Sequence, residues 1–259
     1  MKVLVTGGRG TLGRPTVAAL LASGHEVTIT TRRPKANADG PRQLRFDLKT
    51  GEGAAPAVSG QDVVVHVASD TNRFGKTDVA GTQALLNAAE RARMPHLVYI
   101  SIVGCDEIPF TYYKHKTAVE RDIERSSVPH TILRTTQYHE FAAVLADRLS
   151  KTYVTMTPRN VRFQSLDSAV AARRLAELAG GEPQGRVEDL GGPEPLLLSN
   201  LVNQYLEATG RSRPVLAVPM FGAAYRGFVA GKNLAPNHAD HSGQTWSDWL
   251  ADVATGEST

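Results

Sequence analysis

Tyr112 and Lys116 lie four residues apart, a spacing that on a helix brings two side chains onto one face about one turn apart. A phenol beside an ammonium suits proton exchange with a carbonyl oxygen, because the positive charge stabilises the phenolate left behind. His139 offers a second source of the same proton, since an imidazole titrates near neutrality, the other reading being a helix-start histidine bonded to the backbone. Gln137, Tyr138 and Phe141 flank it and are expected to shape a substrate cavity. His66, inside an apolar run, reads as a satisfied core or cofactor-adjacent residue. Cys105 reads as an incidental small thiol, and His238-Ala239-Asp240-His241 lacks the helical spacing of a zinc pair, so no metal is expected.

A second constellation suits an anion. Val5-Thr6-Gly7-Gly8-Arg9-Gly10-Thr11-Leu12-Gly13 satisfies GxGxxG through Gly8, Gly10 and Gly13, and GxxGxxG through Gly7, Gly10 and Gly13. It follows a predicted strand and opens a predicted helix. Glycines there permit a tight turn and let a pyrophosphate approach backbone amides at the positive end of the helix. The end of the second strand decides which dinucleotide fits. An acid there would hold a ribose hydroxyl of NAD; this chain has Thr31-Arg32-Arg33, whose guanidiniums, with Arg9 from the loop, can pair with a 2'-phosphate. NADPH is therefore expected over NADH.

These residues need a scaffold that alternates strands and helices. Val3 to Thr6 reads as a buried strand, and Thr11 to Ser23 as a helix with Leu12, Val17, Leu20 and Leu21 inward, closed by Gly24. Strands are predicted over His25 to Thr31, Leu44 to Asp47, Asp62 to Ala68, Leu97 to Ser101 and Val128 to Arg134, with helices over Val79 to Arg93 and Tyr113 to Ser126. This is the pattern of a Rossmann-like, doubly wound parallel α/β sheet. After Arg134 the regularity loosens. Helices remain over Ala169 to Ala179, Leu198 to Thr209 and Trp246 to Val253, with strands over Arg186 to Leu190 and Arg213 to Val218. A helix carrying Phe221, Tyr225 and Phe228 reads as core, and 233–243 reads as polar and turn-rich. The expected organisation is a dinucleotide-binding domain over 1–134 and a smaller C-terminal α/β substrate lobe over 135–259, sharing strands near Gln164 and Val187.

Composition narrows the function classes. In 259 residues, 41% are hydrophobic and 21% charged, with 29 Lys and Arg against 26 Asp and Glu. A net charge of +3 without a Lys/Arg block gives no expectation of nucleic acid. One cysteine cannot form an internal disulfide. There is neither a signal-peptide core nor a run near the roughly 18 apolar residues of a membrane span, so a cytoplasmic protein with no membrane partner is expected.

The glycine loop, together with Asp47-Leu48, Val67-Ala68-Ser69, Val79-Ala80-Gly81-Thr82-Gln83-Ala84-Leu85-Leu86, the stretch from Tyr112 to Glu120 and the stretch from Thr131 to Phe141, resembles the extended and atypical short-chain dehydrogenases/reductases, closest to their NmrA-like NAD(P)H-binding group. The resemblance covers nearly the whole chain. It implies that Gly7, Gly10 and Gly13 line the pyrophosphate, with Thr6, Gly8, Arg9, Thr11 and Leu12 in the same loop. Asp47 and Leu48 would flank the adenine, Ala68 and Ser69 the ribose, and Lys116 the nicotinamide ribose, with Ser101 also on the cofactor side. The superfamily's catalytic Ser or Thr falls near Val103 here, where only Ser101 remains.

The expected function is an NADPH-dependent oxidoreductase moving a hydride between nicotinamide and a small-molecule carbonyl, enone or quinone. Tyr112 or His139 would supply the proton. A homo-oligomer is compatible. The alternatives are a non-catalytic NADP(H) sensor acting on a protein partner, which the missing serine favours, and an isomerase or cyclase.

Overall fold

The computed structural model describes residues 1–35, 40–237 and 239–255. In chain order the elements are β1 (Lys2–Thr6), α1 (Gly13–Ala22), β2 (Glu26–Thr31), β3 (Arg42–Arg45), α2 (Ala54–Val58), β4 (Val63–His66), α3 (Asp78–Arg91), β5 (His96–Ile102), α4 (Thr111–Arg125) and β6 (His130–Thr135). There follow α5 (His139–Leu149), β7 (Thr155–Pro158), β8 (Arg162–Phe163), α6 (Ser168–Gly180), β9 (Gly185–Arg186), β10 (Leu190–Gly191), β11 (Leu196–Leu197), α7 (Leu198–Ala208), β12 (Val215–Val218), α8 (Ala223–Val229), β13 (Asp240–His241) and α9 (Trp246–Thr255). They form two compact units, neither continuous in sequence. The first comprises Met1–Ser101, Thr111–Arg134 and Ala171–Val187; the second comprises Ile102–Phe110, Thr135–Val170 and Glu188–Thr259.

The first unit carries the parallel order β3-β2-β1-β4-β5-β6, with β9 added beyond β6. This is the Rossmann-like α/β architecture read from the sequence. The order reverses between β1 and β4, where Thr6 and His66 are register partners. Chain leaving β1 and chain leaving β4 therefore diverge from one point, and ligands of open parallel sheets sit outside the strand ends at such a reversal. Val63, Val64 and Val65 are buried on both faces of β4, as an interior parallel strand requires. The core joins Leu4, Val64, Leu97 and Ile132 of the sheet to Leu85 and Leu86 of α3 and Val119 and Ile123 of α4.

One inward assignment is corrected. Leu21 is 47% exposed, because α1 begins at Gly13 and buries Gly13, Thr16 and Leu20, spaced three and four apart, which turns Leu21 about 100° away. Thr16 fits that inner face because its hydroxyl donates to Leu12 O at 2.7 Å.

The second unit is built on α5, α7 and α9, whose Ala142, Ala146, Leu201, Val202, Leu206, Trp246 and Leu250 pack with Val161 and Phe163. α5 follows β6 at once and begins at His139. Leu190 of β10 pairs with Thr135, and β13 pairs with β10. One further reading is corrected. Phe221 precedes α8 and stands 93% exposed instead of entering the core. The segment read as a polar tail buries Asn233, Ala235 and Ala239, because Asn233 Nδ2 donates to Arg162 O at 2.8 Å and Gln164 Oε1 accepts from Ala235 N at 2.8 Å.

Candidate active site

The glycine loop joins β1 to α1 as a cradle with no room for side chains. Gly7 has φ +69°, and a Cβ there would lie 2.8 Å from Ala68 Cα. At Gly13 a Cβ would fall 2.1 Å from Gly7 O. Gly10 N closes the turn on Gly7 O at 2.8 Å, and Gly8 packs on Ile29. Leu12 caps α1 without a side-chain hydrogen bond, so no side chain covers the start of the helix. A cradle closed to Cβ atoms and lined by amides at a helix start fits a dinucleotide pyrophosphate.

Around this cradle, Arg9 Nη2 donates to Gln43 Oε1 at 2.9 Å, an oxygen that also takes Lys35 N at 3.0 Å, which sets the guanidinium beside β3 and the chain that leaves β2. Arg32 and Arg33 are exposed at the same end of β2, and among the described residues none of the three arginines has a carboxylate within ion-pair distance. Asp47 Oδ1 accepts from Lys49 N at 2.9 Å in a turn after β3, and Leu48 packs against Gly81 of α3.

Behind the loop, Thr6 Oγ1 accepts from Ala68 N at 3.3 Å and sits 2.6 Å from His66 Nδ1, while His66 Nε2 is 2.9 Å from Thr82 Oγ1. His66 is fully buried. Desolvation first, and the charge of Lys116 second, lower its pKa to about 3, so the ring is neutral and bridges β1 to α3. This is the satisfied core histidine read from the sequence.

Tyr112 lies in the first turn of α4 and Lys116 one turn on. Ser69 Oγ donates to Asp78 Oδ2 at 2.5 Å and lies 2.9 Å from Tyr112 Oη. Asp78 Oδ1 also accepts from Asp70 N at 2.8 Å. Gly75, at φ +71°, brings the 70–77 loop onto the Tyr112 ring, and His115 Nδ1 fixes it at 2.7 Å to Phe74 O. Asp78 is the acid in the first turn of α3, where the helix dipole favours it. Its position immediately before Val79-Ala80-Gly81-Thr82 was the available sequence signal; its link to Tyr112 through Ser69 was missed.

Lys116 is buried, and Nζ donates to Tyr99 Oη at 3.1 Å and Ile100 O at 3.2 Å. Burial opposes its charge, but the hydroxyls of Tyr99 and Tyr112 and the carboxylate of Asp78 outweigh it, and the ammonium is held charged. It stands 4.9 Å from the Tyr99 ring centre and 5.9 Å from that of Tyr112. Sequence reasoning did not find Tyr99, which on β5 looks like any buried strand aromatic.

Ser101 does not turn toward this group. Its hydroxyl bonds the carboxylate of Glu120, a buried residue that also takes Arg134 Nε and Nη2 at 2.8 and 2.6 Å and Arg186 Nη2 at 3.2 Å. These bonds hold Glu120 below the usual carboxylate range despite burial.

The remaining candidates lie in the second unit. His139 is fully buried at the start of α5, Nδ1 2.9 Å from Ser165 Oγ and Nε2 3.1 Å from Gln244 O. Its ring packs 5.7 and 5.6 Å from Trp246 and Trp249. Burial lowers its pKa, so it is a neutral cross-link from α5 to α9. Tyr138 Oη bonds Thr135 Oγ1 at 3.0 Å, Gln137 O accepts from Leu166 N at 2.8 Å, and Phe141 is exposed. His241 has both ring nitrogens bonded, to Gln164 Nε2 and Pro236 O; His238 lies outside the described residues.

A family model described as NAD(P)H-binding matches residues 7–162. The photosystem II assembly factor Ycf39 of Trieres chinensis is 26% identical over 236 residues, covering 85% of this chain and 73% of that protein. The 2-alkyl-3-oxoalkanoate reductase of Stenotrophomonas maltophilia is 28% identical over 267 residues, covering 87% and 81%. The fold matches the NADPH-dependent quinone oxidoreductase QOR2 of Escherichia coli, complexed with NADPH, at a TM-score of 0.81 and 17% identity over 97% of this chain and 99% of that one. Triphenylmethane reductase of Citrobacter sp. matches at 0.80 and 16% over 99% and 100%. The NAD(P)H-binding part of the resemblance read from the sequence holds. Among the described residues no helix is long and apolar enough to cross a membrane.

Proposed function

The chain belongs to the NAD(P)H-binding family, and from that premise we propose that it is an NADPH-dependent oxidoreductase acting on a carbonyl, enone or quinone. When bound, the cofactor supplies the hydride. The chain's own residues do the rest. The glycine cradle and the α1 amides hold the pyrophosphate, and Arg9, Arg32 and Arg33, with no competing carboxylate among the described residues, favour a 2'-phosphate. Lys116, held charged in the wall beside Tyr112, would bind the ribose hydroxyls of the cofactor. Tyr112 Oη would give the proton to the substrate oxygen by turning its O–H from Ser69, whose hydroxyl holds Tyr112 in place beforehand. A hydroxyl whose position is fixed by a neighbour spends little entropy in reaching a reactive geometry.

The observation that carries this reading is the meeting of Tyr112, Ser69 and Asp78 within hydrogen-bond distance, one helical turn from a buried ammonium. His139 is the weaker donor because both its ring nitrogens are engaged. The test is NADPH consumption across quinones, ketones and conjugated enones, with Tyr112→Phe alongside. Turnover should fall about 10²- to 10⁴-fold in the variant; wild-type turnover that Tyr112→Phe leaves intact rejects the assignment.

A second reading, an NADP(H)-binding sensor without turnover, draws on one observation. The Tyr112 proton points to Ser69 and the Ser101 hydroxyl to Glu120, so neither is turned outward. Tight NADPH binding with no consumption on any substrate would favour it.

A further inference from the structure

The net charge of +3 hides a strong asymmetry. Two stretches of the second unit, 148–166 and 208–239, hold eight Lys and Arg and not one Asp or Glu, while the other 208 residues carry 21 against 26. These stretches supply β7 and β12, which pair in a two-stranded parallel sheet. Thr155 and Thr157 turn inward and are fully buried. The alternate residues therefore face out, and the register partners Met156 and Leu216 are 60% and 53% exposed side by side. Tyr153, before β7, is 83% exposed; Met220 and Phe221, after β12, are 49% and 93% exposed. In a parallel pair those aromatics stand at opposite ends of the ladder, tied there by Arg213 Nη1 on Thr152 O at 3.3 Å and Arg159 N on Val218 O at 2.8 Å. Around them Arg148, Lys151, Arg159 and Arg226 are exposed, with no carboxylate in ion-pair range among the described residues.

We propose that this face docks onto an anionic lipid surface. Isolated exposed apolar residues need no explanation, but five large ones on one short sheet and its flanks, accompanied by the exposed Arg148, Lys151, Arg159 and Arg226, form a patch with a matching partner. An interfacial surface needs apolar side chains to enter the headgroup region and Lys or Arg to meet lipid phosphates. Phe221 and Tyr153 protrude nearly whole into solvent, which suits a fluid phase that closes around them better than a preformed protein groove. A second copy of the chain is the wrong occupant, since a two-fold interface would press this cationic face against itself. Nucleic acid would satisfy the cations and leave Met156, Leu216 and Met220 without a partner. The proposal departs from the expectation of no membrane partner, which rested on the lack of a signal-peptide core and of a run long and apolar enough to span a membrane and did not weigh docking at a surface.

The test is flotation with vesicles of phosphatidylcholine, with and without about a third phosphatidylglycerol, at about 0.1 M and about 0.5 M salt. Binding is expected only with phosphatidylglycerol and should weaken at the higher salt. Phe221→Ser with Tyr153→Ser, and separately Arg148→Glu with Lys151→Glu, should each weaken it about tenfold or more while leaving thermal unfolding and NADPH affinity unchanged. Four results overturn the proposal: no flotation, equal flotation on neutral vesicles, flotation that survives both double variants, or a concentration-dependent dimer abolished by the aromatic substitutions. Tighter retention on polyglutamate or duplex DNA than on vesicles, indifferent to the aromatic substitutions, also overturns it.

Discussion

Tyr112 Oη lies 2.9 Å from Ser69 Oγ, and since Ser69 spends its own proton on Asp78, Tyr112 is the donor in that pair. The hydroxyl proposed to serve the substrate is thus tethered from behind by a carboxylate acting through one serine.

Removing the tether should cost turnover more than binding. Ser69→Ala is expected to lower kcat about tenfold with NADPH affinity within about twofold of wild type, and Ser69→Thr should recover part of the loss. Steady-state kinetics with fluorescence titration of NADPH separate the two quantities. An unchanged kcat in Ser69→Ala would remove Ser69 from the site.

Gly13→Ala should abolish cofactor binding, because its Cβ would sit 2.1 Å from Gly7 O and force the cradle open. Gly24→Ala is the control: it also meets an unfavourable backbone, at φ +77°, but in open space, so it should cost about 1 kcal/mol of stability and leave NADPH affinity alone. Comparable affinity losses in both would show that general destabilisation is being measured.

Arg32→Ala, Arg33→Ala and Arg9→Ala should each weaken NADPH by about tenfold while hardly changing NADH, the difference being one charge-assisted contact to the 2'-phosphate. Calorimetric titration with both nucleotides checks this. Equal losses for NADPH and NADH would assign the arginines elsewhere.

His66 makes folding sensitive to acid. Unfolded, it titrates near 6.5; folded, it refuses a proton until about pH 3. Between those values the unfolded state binds the extra proton, so stability is full above pH 6.5 and falls by about 1.4 kcal/mol per pH unit below it. His66→Gln should be less stable at pH 7.5 and show a shallower decline when urea midpoints are compared at pH 7.5, 6 and 5. Parallel declines in the two proteins would contradict the assignment.

The cofactor half of the site was legible because its requirements are local. A glycine run between a β-branched strand and a helix is its own evidence, and Arg32-Arg33 replace an acid within one strand end. Tyr112 and Lys116 were legible from their helical spacing, yet their partners were not. Tyr99 reaches Lys116 from β5, and Ser69 with Asp78 reaches Tyr112 from the β4–α3 connection, so only the topology brings them together. Periodicity also says nothing of which polar contact wins, and Ser101 went to Glu120. His139 shows the same limit, since its partners Ser165 and Gln244 lie 26 and 105 residues away. Phe221 was misread because an aromatic before a helix resembles a core residue unless its exposure is known.

The interleaving of the two units bears on how this protein can be engineered. Each is made of three segments, and the chain passes between them at five junctions. Transplanting the second unit from a relative to change specificity would need three separate grafts. A truncation at Arg134 would strip β9 from the edge of β6 and leave Glu120 with one fewer arginine. Specificity in this scaffold is therefore more readily altered by point substitutions within one segment than by exchanging whole modules.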